Sequence, residues 1–410
     1  MDSRMHRKTA AWACKHAGAQ VWLDWIDEVS EAGTYPDSYV FGEDAPDKTG
    51  WDRYWRELVQ IPHAGKRIPM HRIYDTVRLR ETYPEVIRYL VHLALEAFRQ
   101  GNEELGAKAA GVLTHLTGDT IQAAHTTDNR LVTMMYPQKN MRYMTHCFME
   151  LVLCDLDDSE EYAPRTLAQD EDGLVWRITE EMENGRRKSV GEIPNLMGAL
   201  LRGDTQAATE SAKRSASDCA RLNADILHSL SEIVAGTARM DPVLSLTKLS
   251  PVDVDVDNMF NYEPMIDYLP GQRFDHPTRL DIGKGGVDGI CLLPMMAQSY
   301  LDVRKAYATY SIEHSGYRCF ACEIGIQRFR TPDEVPHYSR ANETPAIFEI
   351  WLDGQVAYRS QPIQDGDAPV PVRLNLGTAR EITLYVRDAR EPNPLTRFVY
   401  PVFALPVLEA

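Results

Sequence analysis

Up to about residue 240 the apolar residues of this chain recur at spacings of three and four, and beyond Met240-Asp-Pro they alternate with polar ones. A helix presents one face every 3.6 residues and a strand every two, so a chain written in both periods must build two different cores. Val21-Trp-Leu-Asp-Trp-Ile26, the run from Val86 to Phe98, the run from Gly106 to His125 and the stripe Leu222, Ile226, Leu230, Ile233 within 205–235 all carry the helical period. The charged stretch 159–187 reads as a solvated helix with loops. After residue 240 come Ile347-Phe-Glu-Ile-Trp-Leu352, Val370-Pro-Val-Arg-Leu-Asn-Leu376 and Ile382-Thr-Leu-Tyr-Val386, with Asp353-Gly354 as a hairpin signal. The expected architecture is multidomain α plus β: an all-helical domain over 1–240, a linker over 241–268 and a jelly-roll β-sandwich over 269–410. No internal repeat is evident.

A length of 410 residues exceeds the usual size of one domain, and 44% hydrophobic with 25% charged residues is ordinary for a globular chain. The formal charge of −16 argues against broad binding to nucleic acid or anionic membrane, which needs clustered Lys and Arg. It leaves room for a small phosphate ester held by metal ions, because the ions supply the local positive charge. No apolar run reaches the length of a membrane span. Lys15 and His16 interrupt the only apolar stretch near Met1, so the segment does not read as a secretion signal. The expected location is cytoplasmic if Met1 is the natural start, and secreted if a leader has been removed. Seven cysteines do not suggest a disulfide framework, and Cys319 and Cys322, within a strand-like run, read as structural.

The stretch His115-Leu-Thr-Gly-Asp119-Thr-Ile-Gln-Ala-Ala-His125, with His146-Cys-Phe-Met-Glu150 downstream, gathers three imidazoles and two carboxylates. Positions i and i+4 share a helix face, so His115 meets Asp119 and His146 meets Glu150. On a regular helix His125 falls about a third of a turn from Asp119 and would reach a different ion. A lone helical histidine is usually structural, and His92 and His228 are read that way. Five such residues at these spacings make a pocket for a metal cluster.

This pattern resembles the zinc-dependent phospholipase C family and the related single-strand-specific zinc nucleases, over roughly residues 10–235. Their signature helix, His-x-x-Gly-Asp-x-x-x-Pro-x-His followed by His-x-x-x-Glu or His-x-x-x-Asp, is matched in its spacings and its Gly-Asp pair. The resemblance implies an all-helical fold with two or three Zn2+ ions. It implies that His115 and Asp119 bind the first ion, Asp119 bridging to another, and that His125, His146 and Glu150 bind the second. It also implies an upstream Asp, for which Asp37 is the candidate, and an upstream His, for which His63 is the candidate and His71 the rival. His16 occupies the place of a ligand to the third ion. The chain departs from the pattern in having Ala123 where the family has Pro, and in having Trp12 as its first Trp where the family places an N-terminal Trp on the third zinc.

Residues 270–408 resemble the NPCBM class of carbohydrate-binding modules, a galactose-binding-like β-sandwich. The resemblance rests on Tyr317-to-Ile326, Phe348-to-Ser360 and Leu384-to-Ala389. Tyr338 or Trp351 could stack on a sugar, though strand core suits Trp351 better. The run Asp253-Val-Asp-Val-Asp257 lacks the Gly turn and following Glu of a calcium loop and reads as a solvated linker.

These resemblances imply a zinc-dependent, phospholipase C-like phosphoesterase that acts on a small phosphate ester or phospholipid through metal-activated water, with Asp37 orienting the nucleophile or accepting its proton. The alternatives are a single-strand nuclease or nucleotide phosphatase of the same fold, and a non-catalytic, metal-stabilised carbohydrate-binding protein. No P-loop, dinucleotide-binding glycine pattern or nucleophile elbow is present.

Overall fold

The computed structural model describes residues 3–38, 52–73, 75, 78–126, 149, 152–256, 264–269, 277–294, 305–335, 342, 344–389 and 399–410. The chain divides into two compact units, Met1–Met240 and Asp241–Ala410.

The first unit is built from helices α1 (Ser3–His16), α2 (Gln20–Asp24), α3 (Ile26–Ala32), α4 (Tyr35–Ser38), α5 (Trp55–Val59), α6 (Leu79–Arg99), α7 (Glu103–Ile121), α8 (Glu171–Arg202) and α9 (Thr205–Ala235). Their ends follow local chemistry. The side chains of Asn102, Asp170 and Asp204 accept backbone N–H bonds at the starts of α7, α8 and α9. Gly203 and Gly236 close α8 and α9 in the left-handed conformation. Leu222, Ile226, Leu230 and Ile233 all face the core, as their spacing predicts. Helix α7 is buried on every side from Gly106 to Ile121, with α1, α3, α6, α8 and α9 packed around it. A short hairpin, β1 (Gln60–His63) with β2 (Lys66–Pro69), interrupts the helices. Its turn places Ala64 and Gly65 at φ of 48° and 80°.

Gly111 decides how closely α3 approaches α7. A Cβ there would sit 2.3 Å from the Val29 carbonyl oxygen, so the two helices cross at backbone contact. That crossing carries the end of α3, and α4 after it, over the middle of α7. Lys108 of α7 donates to Asp52 and to Glu104, at 2.6 Å each, and the Tyr35 hydroxyl of α4 donates to Asp52 at 3.1 Å. Burial pushes the Asp52 carboxyl up, but the Lys108 ammonium outweighs it and holds Asp52 below its ordinary value.

The second unit is an antiparallel sandwich of two sheets. One has the strand order β13 (Val370–Asn375), β10 (Cys319–Ile326), β15 (Pro401–Glu409), β8 (Gly289–Cys291), β5 (Met265–Ile266), with β3 (Val243–Ser245) also paired to β15. The other runs β12 (Gln355–Arg359), β11 (Ala346–Leu352), β14 (Glu381–Asp388), β9 (Lys305–Ser311), β4 (Asp253–Asp255). Two further short strands, β6 (Tyr268–Leu269) and β7 (Thr278–Arg279), pair with each other. Phe348 of β11 meets Phe403 of β15 edge-on, with centroids 5.3 Å apart, which sets the two sheets face to face. Asp353 and Gly354, at φ of 48° and 75°, make the expected tight turn between β11 and β12. Cys319 and Cys322 lie three apart on β10 and so point to opposite faces, Cys322 into the core.

The segment 241–268 is corrected by this arrangement: it is no free linker but supplies β3 and β5 to the first sheet and β4 to the second. Asp253-Val-Asp is an alternating strand pattern on a sheet edge, with Val254 opposite Ala308 and the aspartates flanking it. Charges on an edge strand discourage further pairing, which explains why a strand here reads as solvated.

Two outcomes follow from the helical packing. Gly111→Ala should lower stability by about 1–3 kcal/mol, because α3 must retreat from α7, and a urea midpoint shift measures it. Asp52→Asn should cost stability at neutral pH. For this depressed carboxyl the loss should shrink as the pH falls below the ordinary value of 3.8 and vanish beneath the folded-state value, as read from urea midpoints across that range.

Candidate metal centre

At the centre of the helical unit the Asp119 carboxylate of α7 is only 4% exposed. One oxygen lies 3.3 Å from His6 Nε2 and 3.8 Å from His125 Nε2, and the other 3.1 Å from His115 Nε2. Asp37 of α4 brings its carboxylate to 3.9 Å from the same His115 nitrogen. Ligand atoms of His6, Asp37 and His115 all fall within 4.8 Å of one another.

Each side chain arrives by a different route. His115 and Asp119 are one helical turn apart on α7. The Gly111 crossing places the Gly33 carbonyl, at the end of α3, 3.0 Å from His115 Nδ1. A proton on Nδ1 donated to that carbonyl leaves Nε2 as the donor atom facing Asp119, the arrangement by which metal-binding histidines are oriented. The turn after α3 then delivers Asp37. Helix α1 brings His6 in from the opposite side, its ring stacked on His115 with centroids 4.2 Å apart. His125 arrives through a break in α7. The helix ends at Ile121, Gln122 is extended, and Ala123–His125 form a separate 3-10 turn. The break occurs with Ala at position 123, so proline is not required for it.

The electrostatics of the cluster centre on the buried carboxylate. Burial pushes the Asp119 carboxyl up, but nearby charge, with that of His115 one turn away among it, holds it well below the usual range. Burial pushes His115 down, and Asp119 more than restores it, so its value ends above the ordinary one. Burial, followed by the neighbouring His115, takes His6 down to about 3, which leaves it neutral and able to ligate. His6 Nδ1 is buried without a hydrogen-bond partner among the described residues. Two ligand atoms sharing one tetrahedral ion at about 2.1 Å must lie about 3.4 Å apart. The separations around Asp119 bracket that value, and nitrogen and carboxylate donors suit zinc.

His16, the residue expected for the third ion, is not part of this cluster. It stacks on Trp12 at 3.8 Å and its Nδ1 contacts the Trp12 carbonyl one turn back. The physical reason is helical phase. Ala10, Ala13 and Ala17 are fully buried at i+4, i+7 and i+11 from His6, whereas His16 lies off that stripe. His6 was the histidine that sequence reasoning missed, and its phase with the alanines was the available signal. His63 is also not brought in: it sits on the exposed end of β1, where its Nδ1 pairs with Glu85 of α6 at 3.0 Å. Its rival His71 falls in the turn Met70–Arg72. His146 and Glu150, like Tyr338 in the sandwich, lie outside the described residues. His92 pairs with Glu171, and His228 contacts the Ala17 carbonyl at 3.0 Å. Trp351, expected in the strand core, is partly exposed and stacks on Tyr385 at 4.9 Å. Among the described residues no helix is long and apolar enough to cross a membrane.

No curated protein matches the chain in sequence. Among solved structures it is similar to the alpha toxin from Clostridium absonum, at 10% identity and a TM-score of 0.33 over 98% of this chain and 92% of that one. It is similar to CBM51 from Clostridium perfringens GH95, solved in complex with methyl-galactose, at 15% identity and a TM-score of 0.27 over 40% of this chain and 99% of that one. It is similar to the CBM51-2 and INT domains of Clostridium perfringens ZmpB, at 16% identity and a TM-score of 0.28, covering 42% of this chain and 32% of that one. The chain therefore spans about a third of the length of this last structure. A family model described as NPCBM/NEW2 domain matches residues 304–400, which places that domain within the β-sandwich unit.

Proposed function

We propose that this protein is a zinc-dependent, phospholipase C-like phosphoesterase, with the helical unit carrying the chemistry and the sandwich unit binding carbohydrate. The observation that carries the reading is the buried Asp119 carboxylate ringed by the imidazoles of His6, His115 and His125, with Asp37 in reach. His6, Asp37, His115 and Asp119 would hold one part of a cluster of two or three Zn2+ ions. His125, with His146 and Glu150 from the signature, would hold the other. Zinc at such a cluster supplies positive charge to phosphoryl oxygens and brings the ionisation of water towards neutral pH. The chain's own residues prepare the site. The Gly33 carbonyl fixes the His115 ring, and Asp119 spans the imidazoles on both sides. Asp37, whose side chain is 41% exposed, is the carboxylate able to meet substrate and to orient or deprotonate an incoming water.

The carbohydrate role rests on the NPCBM/NEW2 match within the sandwich unit. With a formal charge of −16 a small ester is favoured over a nucleic-acid polymer.

Asp119→Ala or His125→Ala should remove zinc and hydrolysis together, as measured by elemental analysis beside turnover of a phosphatidylcholine analogue, single-stranded DNA and a 3′-nucleotide. Full hydrolysis by either variant after zinc depletion would contradict the proposal. In the same assay His6→Ala should weaken zinc binding by at least about tenfold, whereas His16→Ala should leave it unchanged. The reverse result would restore His16 as the ligand.

A further inference from the structure

We infer that Arg186 is a positioning residue: it holds the break in α7 that aims His125 at Asp119, the task a proline performs in the signature this chain departs from. The inference rests on the metal reading above. Without a proline, the chain from Gln122 onward has no covalent reason to leave the helix, and Ala is the best helix former. The break is held from outside, by α8. Gly185 is tight against the last turn of α7, where a Cβ would meet Ile121 Cγ1 at 2.6 Å. The next residue, Arg186, donates from one guanidinium nitrogen to the Thr126 carbonyl at 3.0 Å, satisfying the end of the turn that carries His125. Its other two donors fork onto Glu183 at 2.8 and 2.7 Å, so the guanidinium is aimed before it reaches Thr126. Thr126 in turn donates its hydroxyl to the Ala123 carbonyl at 3.0 Å. Loss of this anchor would let residues 122–126 rejoin the helical path, which turns His125 about a third of a turn away from Asp119.

The charge left behind is tolerable, because Arg187 also donates to Glu183, at 3.0 Å. Arg186→Gln is therefore expected to fold. Gln122 already has the extended conformation, φ −77° and ψ 135°, that a following proline demands, and Ala123 is the first residue of the turn, where proline is accepted. Ala123→Pro thus offers a covalent replacement for the missing anchor.

The test is titration of the metal-free protein with Zn2+ against a chromophoric chelator, alongside far-ultraviolet circular dichroism. Arg186→Gln should keep its helical signal and bind its weakest-held equivalent of zinc about 10–100-fold less tightly. Arg186→Gln with Ala123→Pro should recover most of that affinity. Arg214→Gln, which loses an exposed pair with Glu192, should behave as the wild type. Wild-type zinc affinity in Arg186→Gln would overturn the inference, and so would a loss that Ala123→Pro leaves unrepaired. Should Arg186→Gln not fold, Arg186→Lys, which lacks the fork, is read in the same two ways. A wild-type protein that takes up no zinc would instead end the metal reading itself.

Discussion

A carboxylate buried at the middle of a helical bundle is the constraint on which the rest of the first unit depends. An isolated ionised group there would cost far more than any local packing returns, so it must be neutralised, paired or bound to a metal. Asp119 is met by three imidazoles, one a helical turn away on α7, one from α1 and one from beyond the end of α7. Imidazoles can compensate a carboxylate as cations or share an ion with it as neutral ligands. The low value of His6 suits the second role, while the raised value of His115 reflects how strongly Asp119 draws positive charge towards the cluster. His6, Asp37 and His115 around Asp119 form a group that could hold a metal ion, which is the basis of the proposed zinc site.

The surrounding scaffold positions the cluster through backbone more than through side chains. Gly111 lets α3 lie on α7 closely enough for the Gly33 carbonyl to orient His115, and the same crossing sends α4 and Asp37 over the site. Lys108 and Tyr35 converge on Asp52 and tie α4 to α7 below it. On the far side α8 plays the corresponding part, with Gly185 and Arg186 setting where α7 stops. Both glycines are close-approach residues, and in each case a longer-range polar contact completes what the contact begins.

Much of this was legible in the sequence because it is periodic. The change of period near residue 240 separated helices from strands, the stripe from Leu222 to Ile233 located a buried face, and the i,i+4 spacing brought His115 to Asp119. What escaped was non-periodic or long-range. His6 lies on α1, whose role depends on what that helix packs against, whereas His16 on the same helix was expected only because it occupies the place of a family ligand to the third ion. The hairpin holding His63 depends on two residues at positive φ, and its register sends that ring towards Glu85 and solvent. Asp253-Val-Asp looked like a linker because the charges that protect an edge strand are also those that solvate a loop. The Arg186–Thr126 contact joins residues 60 apart in sequence and follows no period.

The most direct test of the central claim is the anomalous diffraction signal at the zinc edge from crystals grown with Zn2+. The account predicts a strong peak within about 2.1 Å of an Asp119 carboxylate oxygen and of His115 Nε2. Zinc located elsewhere, with the Asp119 carboxylate left to the histidines alone, would contradict it.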